Sequence, residues 1–187
     1  MSQVPYAELK KGTFLIASPD IQSGIFYRSV VLLCDHSAIG SFGLIINKPL
    51  EMELEKELFG IDEEMVGSYE MRAGGPNQPN QILLLQDEGL GGEASLEICP
   101  GVFLNGDQED SKEQHAIAPH TLVCLGYGGW ASGVLEREFL NGAWFLCPAK
   151  ENHVFETPPE ILWQTLLREM GGKYKTLSLI PENLELN

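Results

Sequence analysis

The residues with the most chemical promise fall in a few short stretches. Cys34-Asp35-His36 sets a thiol and an imidazole two positions apart at the end of an apolar run. On a strand, residues two apart share a face. A neighbouring imidazole can lower a thiol pKa and make a nucleophile or a redox-responsive group. Cys34 and His36 are therefore the candidate catalytic residues, although no third orienting group is identifiable.

A second stretch is Gly126-Tyr127-Gly128-Gly129-Trp130-Ala131, which follows the apolar run Leu122-Val123-Cys124-Leu125. Read as strand, glycine loop and helix start, it would offer free N–H groups to an anion. The letters also fit the Gly-x-Gly-x-x-Ala dinucleotide fingerprint. Too little chain follows for the usual sheet, so no cofactor is expected. The competing reading is close strand–helix packing.

Other combinations carry less. Glu136 and Glu138 lie two apart on an expected helix and do not share a face, so they make a poor acid/base pair. Glu136 is expected to pair with a base such as Arg28 or Arg72. His115 and His120 are separated by Pro119, and no metal-ligand spacing occurs. The four cysteines lack any Cys-x-x-Cys pattern and read as small buried hydrophobes in a reducing compartment.

These residues must be positioned by short elements. Stretches 13–17, 29–34 and 42–46 are near-continuous apolar runs, as in strands covered on both faces. Strands are also expected at 81–85, 95–99, 102–104, 121–125 and 144–147. Residues 72–79, with Gly74-Gly75-Pro76, read as a sharp turn. Helices are expected within 51–70, over 108–116, over 130–140 and after Thr157-Pro158-Pro159-Glu160. The last looks like a capping box with proline at the first helical position. Leu162, Trp163, Leu166, Leu167 and Met170 follow at helical spacing, and Gly171-Gly172 ends them. Strand runs broken by a few helices indicate an α+β fold. We expect one domain over residues 1–187, with a mixed, largely antiparallel sheet and a few packed helices.

Twelve basic against twenty-seven acidic residues give a net charge of −15. Such a chain repels phosphate backbones and anionic membranes, so neither direct nucleic-acid nor membrane binding is expected. No signal peptide and no apolar run long enough to span a bilayer is apparent, so the chain reads as cytoplasmic.

Several motifs coincide in order along nearly the whole chain. They are Gly12-x-Phe14-Leu15-Ile16-Ala17, Phe26-x-Arg28-Ser29-Val30-Val31-x-Leu33-Cys34-x-His36, Gly43-Leu44-Ile45-Ile46-Asn47-x-Pro49, Gly74-Gly75-Pro76 and Leu125-Gly126-Tyr127-x-Gly129-Trp130-x-x-Gly133-x-Leu135-Glu136-x-Glu138. Together they make the chain resemble the YqgE/AlgH family of bacterial proteins. Ser18-Pro19 stands where that family usually has Met-Pro, and Asp35-His36-Ser37 where it has Glu-His-Asn. The resemblance implies a single α+β domain of cytoplasmic type and supplies no activity. Part of the family carries a transcriptional-regulator label, and the acidic charge here argues against direct DNA contact.

The leading expectation is a non-catalytic protein that binds a small anionic ligand or a protein partner, with an indirect regulatory role. Its surface site gathers Arg28, Ser29, His36, Asn47, Gly74, Gly75, Gly126, Tyr127, Gly129 and Trp130, chosen for polar or glycine character at expected strand ends and turns. On this reading Arg28→Ala abolishes binding with little effect on stability. The alternatives are an enzyme or redox-responsive protein using Cys34 and His36, and a direct transcription factor.

Overall fold

The computed structural model describes residues 9–51, 69–89, 95–105 and 119–182. The helices expected within 51–70 and over 108–116 fall outside these residues, apart from the edges of the first.

β-branched and aliphatic residues favour the pleated backbone, and the first three apolar runs form β1 (Thr13–Ala17), β2 (Val30–Ser37) and β3 (Gly40–Ile45). Their side chains alternate between two cores. Phe14, Ile16, Val30, Leu32 and Leu44 enter one, which Leu162, Trp163, Leu166 and Leu167 cover. Leu15, Val31, Leu33 and Ile45 enter the other, with Trp130, Leu135 and Trp144. Burial on both faces is what the continuous apolar runs required.

The remaining strands are β4 (Tyr69–Ala73), β5 (Asn77–Gln86), β6 (Ser95–Cys99), β7 (Val102–Asn105), β8 (Thr121–Ala131) and β9 (Trp144–Pro148). They complete a sheet of order β6-β7-β5-β8-β3-β2-β1-β9, with β4 set against β8. Every pairing is antiparallel except β4 with β8. With α1 (Val134–Leu140), α2 (Glu151–Phe155), α3 (Pro159–Met170) and α4 (Gly172–Leu177), this is the expected α+β fold.

Three details differ from the sequence reading. The glycine stretch is not a loop before a helix. β8 runs through it to Ala131, and the helix begins only at Val134. The reason is strand pairing. The first half of β8 lies between β4 and β5, and the second half pairs with β3, Phe42 opposite Gly129 and Gly43 opposite Gly128. Backbone groups hydrogen-bonded in a ladder have no free N–H to offer an anion. Second, residues 72–79 are not all turn, because Arg72 and Ala73 end β4 and Asn77 opens β5. Third, Thr157 does not cap α3. Its hydroxyl donates to the Asn152 carbonyl at 3.3 Å, and Pro158 is the N-cap.

Gly74 and Gly75 sit where the β4–β5 link crosses β8. A Cβ on Gly74 would lie 2.2 Å from the Gly126 carbonyl oxygen, and one on Gly75 2.1 Å from the Tyr127 carbonyl carbon. Gly126 itself has φ +72, bending β8 where its partner changes from β4 to β3. Backbone can approach backbone this closely only without side chains. Gly74→Ala should therefore cost about 3 kcal/mol or more in urea unfolding. Gly24→Ala, at φ +80 but with open space around it, should cost about 1 kcal/mol. Equal costs would show that the crossing is not tight.

Candidate functional site

Arg28 lies in the turn before β2, in the left-handed region at φ +51. Few non-glycine residues adopt that conformation, and it costs about 1 kcal/mol or more. The surroundings hold it there. Asn47 accepts from the Val30 N–H at 2.8 Å and donates to the Arg28 carbonyl at 2.9 Å. The Lys48 ammonium donates to the Tyr27 carbonyl at 2.5 Å.

The Arg28 side chain is only 7% exposed. Its guanidinium carbon stands 4.5 Å from the Trp163 ring centroid, a cation–π contact. Nη2 donates to the Ile180 carbonyl, but Nη1 is buried with no hydrogen-bond partner among the described residues. The fully buried Ser29 hydroxyl next to it also lacks one. Lys48 is half-buried. Burial lowers its pKa from the ordinary lysine value, Glu182 opposes the shift and Arg28 adds to it. Two cations thus converge beneath residues 180–182. An unpaired buried donor costs about 1–3 kcal/mol, so this cluster favours an acceptor.

Arg28, Ser29 and Asn47 come together as the sequence suggested. Gly74, Gly75 and Gly126 meet one another instead, as packing. Tyr127 packs edge-on against Phe42, with centroids 6.2 Å apart. The Asn77 side-chain nitrogen would lie 2.7 Å from a Cβ on Gly129. Trp130 is buried against Phe26 and Trp144. His36 lies at the far end of β2, hydrogen-bonded to Ser41 at 2.6 Å, with Glu136 at 3.5 Å. Glu136 therefore pairs with His36, not with Arg28 or Arg72. Arg72 bonds Glu70 at 2.5 Å and the Ile46 carbonyl at 2.9 Å. Arg28 is also more structural than expected. Its stacking on Trp163 and its bond to Ile180 mean that Arg28→Ala must loosen the fold.

Cys34 is the extra residue of a β-bulge between Leu33 and Asp35, and its side chain is fully buried. Burial pushes its thiol far above the ordinary cysteine value, the opposite of activation. Cys124 is pushed up to about 12, again by burial. This counts against a reactive Cys34.

A family model described as AlgH-like matches residues 14–175. The chain belongs to the AlgH-like family. A UPF0301 protein of Chlamydia felis is 49% identical, with both chains covered in full. One of Chlorobium luteolum is 33% identical over 97% of each. The solution structure of AlgH from Pseudomonas aeruginosa has 27% identity and a TM-score of 0.70, covering 97% of this chain and 98% of that one. A crystal structure from Corynebacterium diphtheriae, at 22% identity and TM-score 0.75, covers 92% and 93% and shares the fold. Membership in the AlgH-like family accounts for the ordered motifs of the sequence.

Sequence reasoning missed Tyr27, Lys48 and the Glu138 acceptor in this AlgH-like chain. Lys48 carried a signal, since it stands between Asn47 and Pro49 in the motif that fixes Arg28. Glu138 accepts from the indole N–H of both Trp130 and Trp144, each at 2.9 Å. Glu138→Ala strands two buried donors and should lower unfolding stability by about 2–4 kcal/mol. A loss under 1 kcal/mol would show that water replaces the carboxylate. In the native protein iodoacetamide should leave Cys34 and Cys124 unmodified, with the less buried Cys147 reacting first. Rapid native labelling of Cys34 would restore the reactive-thiol reading.

Proposed function

We propose that this AlgH-like protein is a non-catalytic cytoplasmic binding protein that recognises a carboxylate- or phosphate-bearing group and acts in regulation indirectly. The observation that carries it is the unpartnered Nη1 of buried Arg28. Lys48 adds a second cation. Buried cations with unmet hydrogen bonds are costly unless an anion pairs them. A guanidinium fork suits carboxylate and phosphate oxygens bidentately.

Charge supports the indirect role. At −15 the protein repels nucleic acid at long range, so any effect on transcription would pass through what it binds. An enzymatic reading finds less support. The Cys34 thiol is buried and pushed upward, and the Glu136–Glu138 pair is divided between His36 and two indoles.

The test is calorimetric titration of the full chain with citrate and with inorganic phosphate at low salt. Saturable binding to at least one is expected, weakened tenfold or more in Lys48→Gln under conditions where circular dichroism shows the variant folded. No saturable heat, or equal binding by the variant, would contradict the reading.

A further inference from the structure

We propose that the natural ligand of this site is an acidic peptide segment of a partner protein, and that residues 178–182 of this chain occupy its place in cis. The inference rests on the anion-binding reading and adds the class of ligand. What lies over Arg28 is main chain. The Arg28 Nη2 donates to the Ile180 carbonyl, and the Tyr27 hydroxyl donates to the Glu182 carbonyl at 2.7 Å. Ile180 and Glu182 both lie at bends, so the two carbonyls are presented by a turning main chain. Pro181 between them fixes its own φ and holds Ile180 out of the helical region. The site thus reads main chain by two carbonyls. Glu182 adds a carboxylate that attracts Lys48.

The segment fills the site incompletely. Arg28 Nη1 remains unpaired beside it. A peptide in trans that repeats the two carbonyls and places a carboxylate on this donor would satisfy every group the cis segment satisfies, and one more. That surplus lets a partner displace a tethered competitor, which otherwise has the advantage of high effective concentration. Beyond the buried Ser178, the cis segment makes few backbone bonds among the described residues. After α4, the bonds from its backbone N–H groups to other backbone are the local ones of Ser178, Leu179 and Ile180 to Tyr174, Thr176 and Leu177. Leu179 is 71% exposed. An occupant of this kind keeps the cationic cluster covered until an acidic partner arrives.

The test is fluorescence polarisation with a labelled synthetic peptide of residues 177–187 as the probe, on the full-length protein and its Glu182→Lys variant. Reversing that charge sets the cis segment against Lys48 and should release it. Weak binding to the wild type and at least tenfold tighter binding to Glu182→Lys are expected. A probe with glutamine for glutamate at position 182 should lose that gain, a control that alters no residue of the protein. Equal affinity of the two proteins, or no loss with the glutamine probe, would overturn the proposal. Citrate or phosphate binding to Glu182→Lys without peptide binding would sink the peptide ligand and leave the anion site standing. Binding of neither would end both.

Discussion

The structure depends on one backbone crossing. Gly74 and Gly75 pass over Gly126 and Gly128 at distances that exclude a Cβ. The Gly74 N–H donates to the Leu125 carbonyl, and the Gly74 carbonyl accepts from the Ile45 N–H, both at 2.8 Å. The crossing therefore joins the ends of β3, β4 and the first half of β8. From there the chain of constraints is short. The Ile46 N–H reaches the Val30 carbonyl, Arg72 holds the Ile46 carbonyl, and the Ala73 N–H holds the Lys48 carbonyl. Residues 46–48 are fixed in place. Asn47 can then clasp the turn that carries Arg28, and Lys48 can reach Tyr27. The glycines serve the site without belonging to it. They set the backbone that holds a strained arginine.

That arginine has two tasks that compete. Stacked on Trp163 and bonded to Ile180, it ties the C-terminal helices to the sheet. Its Nη1 is also left with an unmet donor, which the proposed reading assigns to an anion. The strain at φ +51 and the unpaired Nη1 both reduce stability, and proteins keep such features where function requires them. The net charge fits the same picture. An acidic molecule repels anions at a distance, so recognition must come from short, desolvated contacts and not from steering. On the proposed reading, that balance would select an acidic segment of matched shape.

Much of this was legible in the sequence. The apolar runs located β1, β2 and β3 and the burial of both their faces, and the Leu162-Trp163-Leu166-Leu167 spacing located α3 with its buried side. Arg28, Ser29 and Asn47 were placed in one site from their type and position. The glycine stretch was misread for a physical reason. Glycine lowers strand propensity locally, while pairing with β3, β4 and β5 is decided by residues far away in sequence. β4 was missed because it follows an acidic run and takes its strand state from tertiary pairing with β8 and with residues 48–50. The partners of Glu136, Glu138 and Lys48 are tertiary and leave no local pattern. Cys34 and His36 looked adjacent on one face until a β-bulge intervened.

The central claim is that the recognition site is the Arg28–Lys48 cluster and that the glycine stretch is scaffold. The most direct measurement is amide chemical-shift mapping by two-dimensional NMR during titration with glutarate, a simple dicarboxylate. The account predicts saturable shifts concentrated at Tyr27, Arg28, Ser29, Lys48 and residues 178–182, with Gly126, Gly128 and Gly129 unmoved. Shifts centred on Gly126, Tyr127 and Gly129, with the Arg28 region silent, would contradict it.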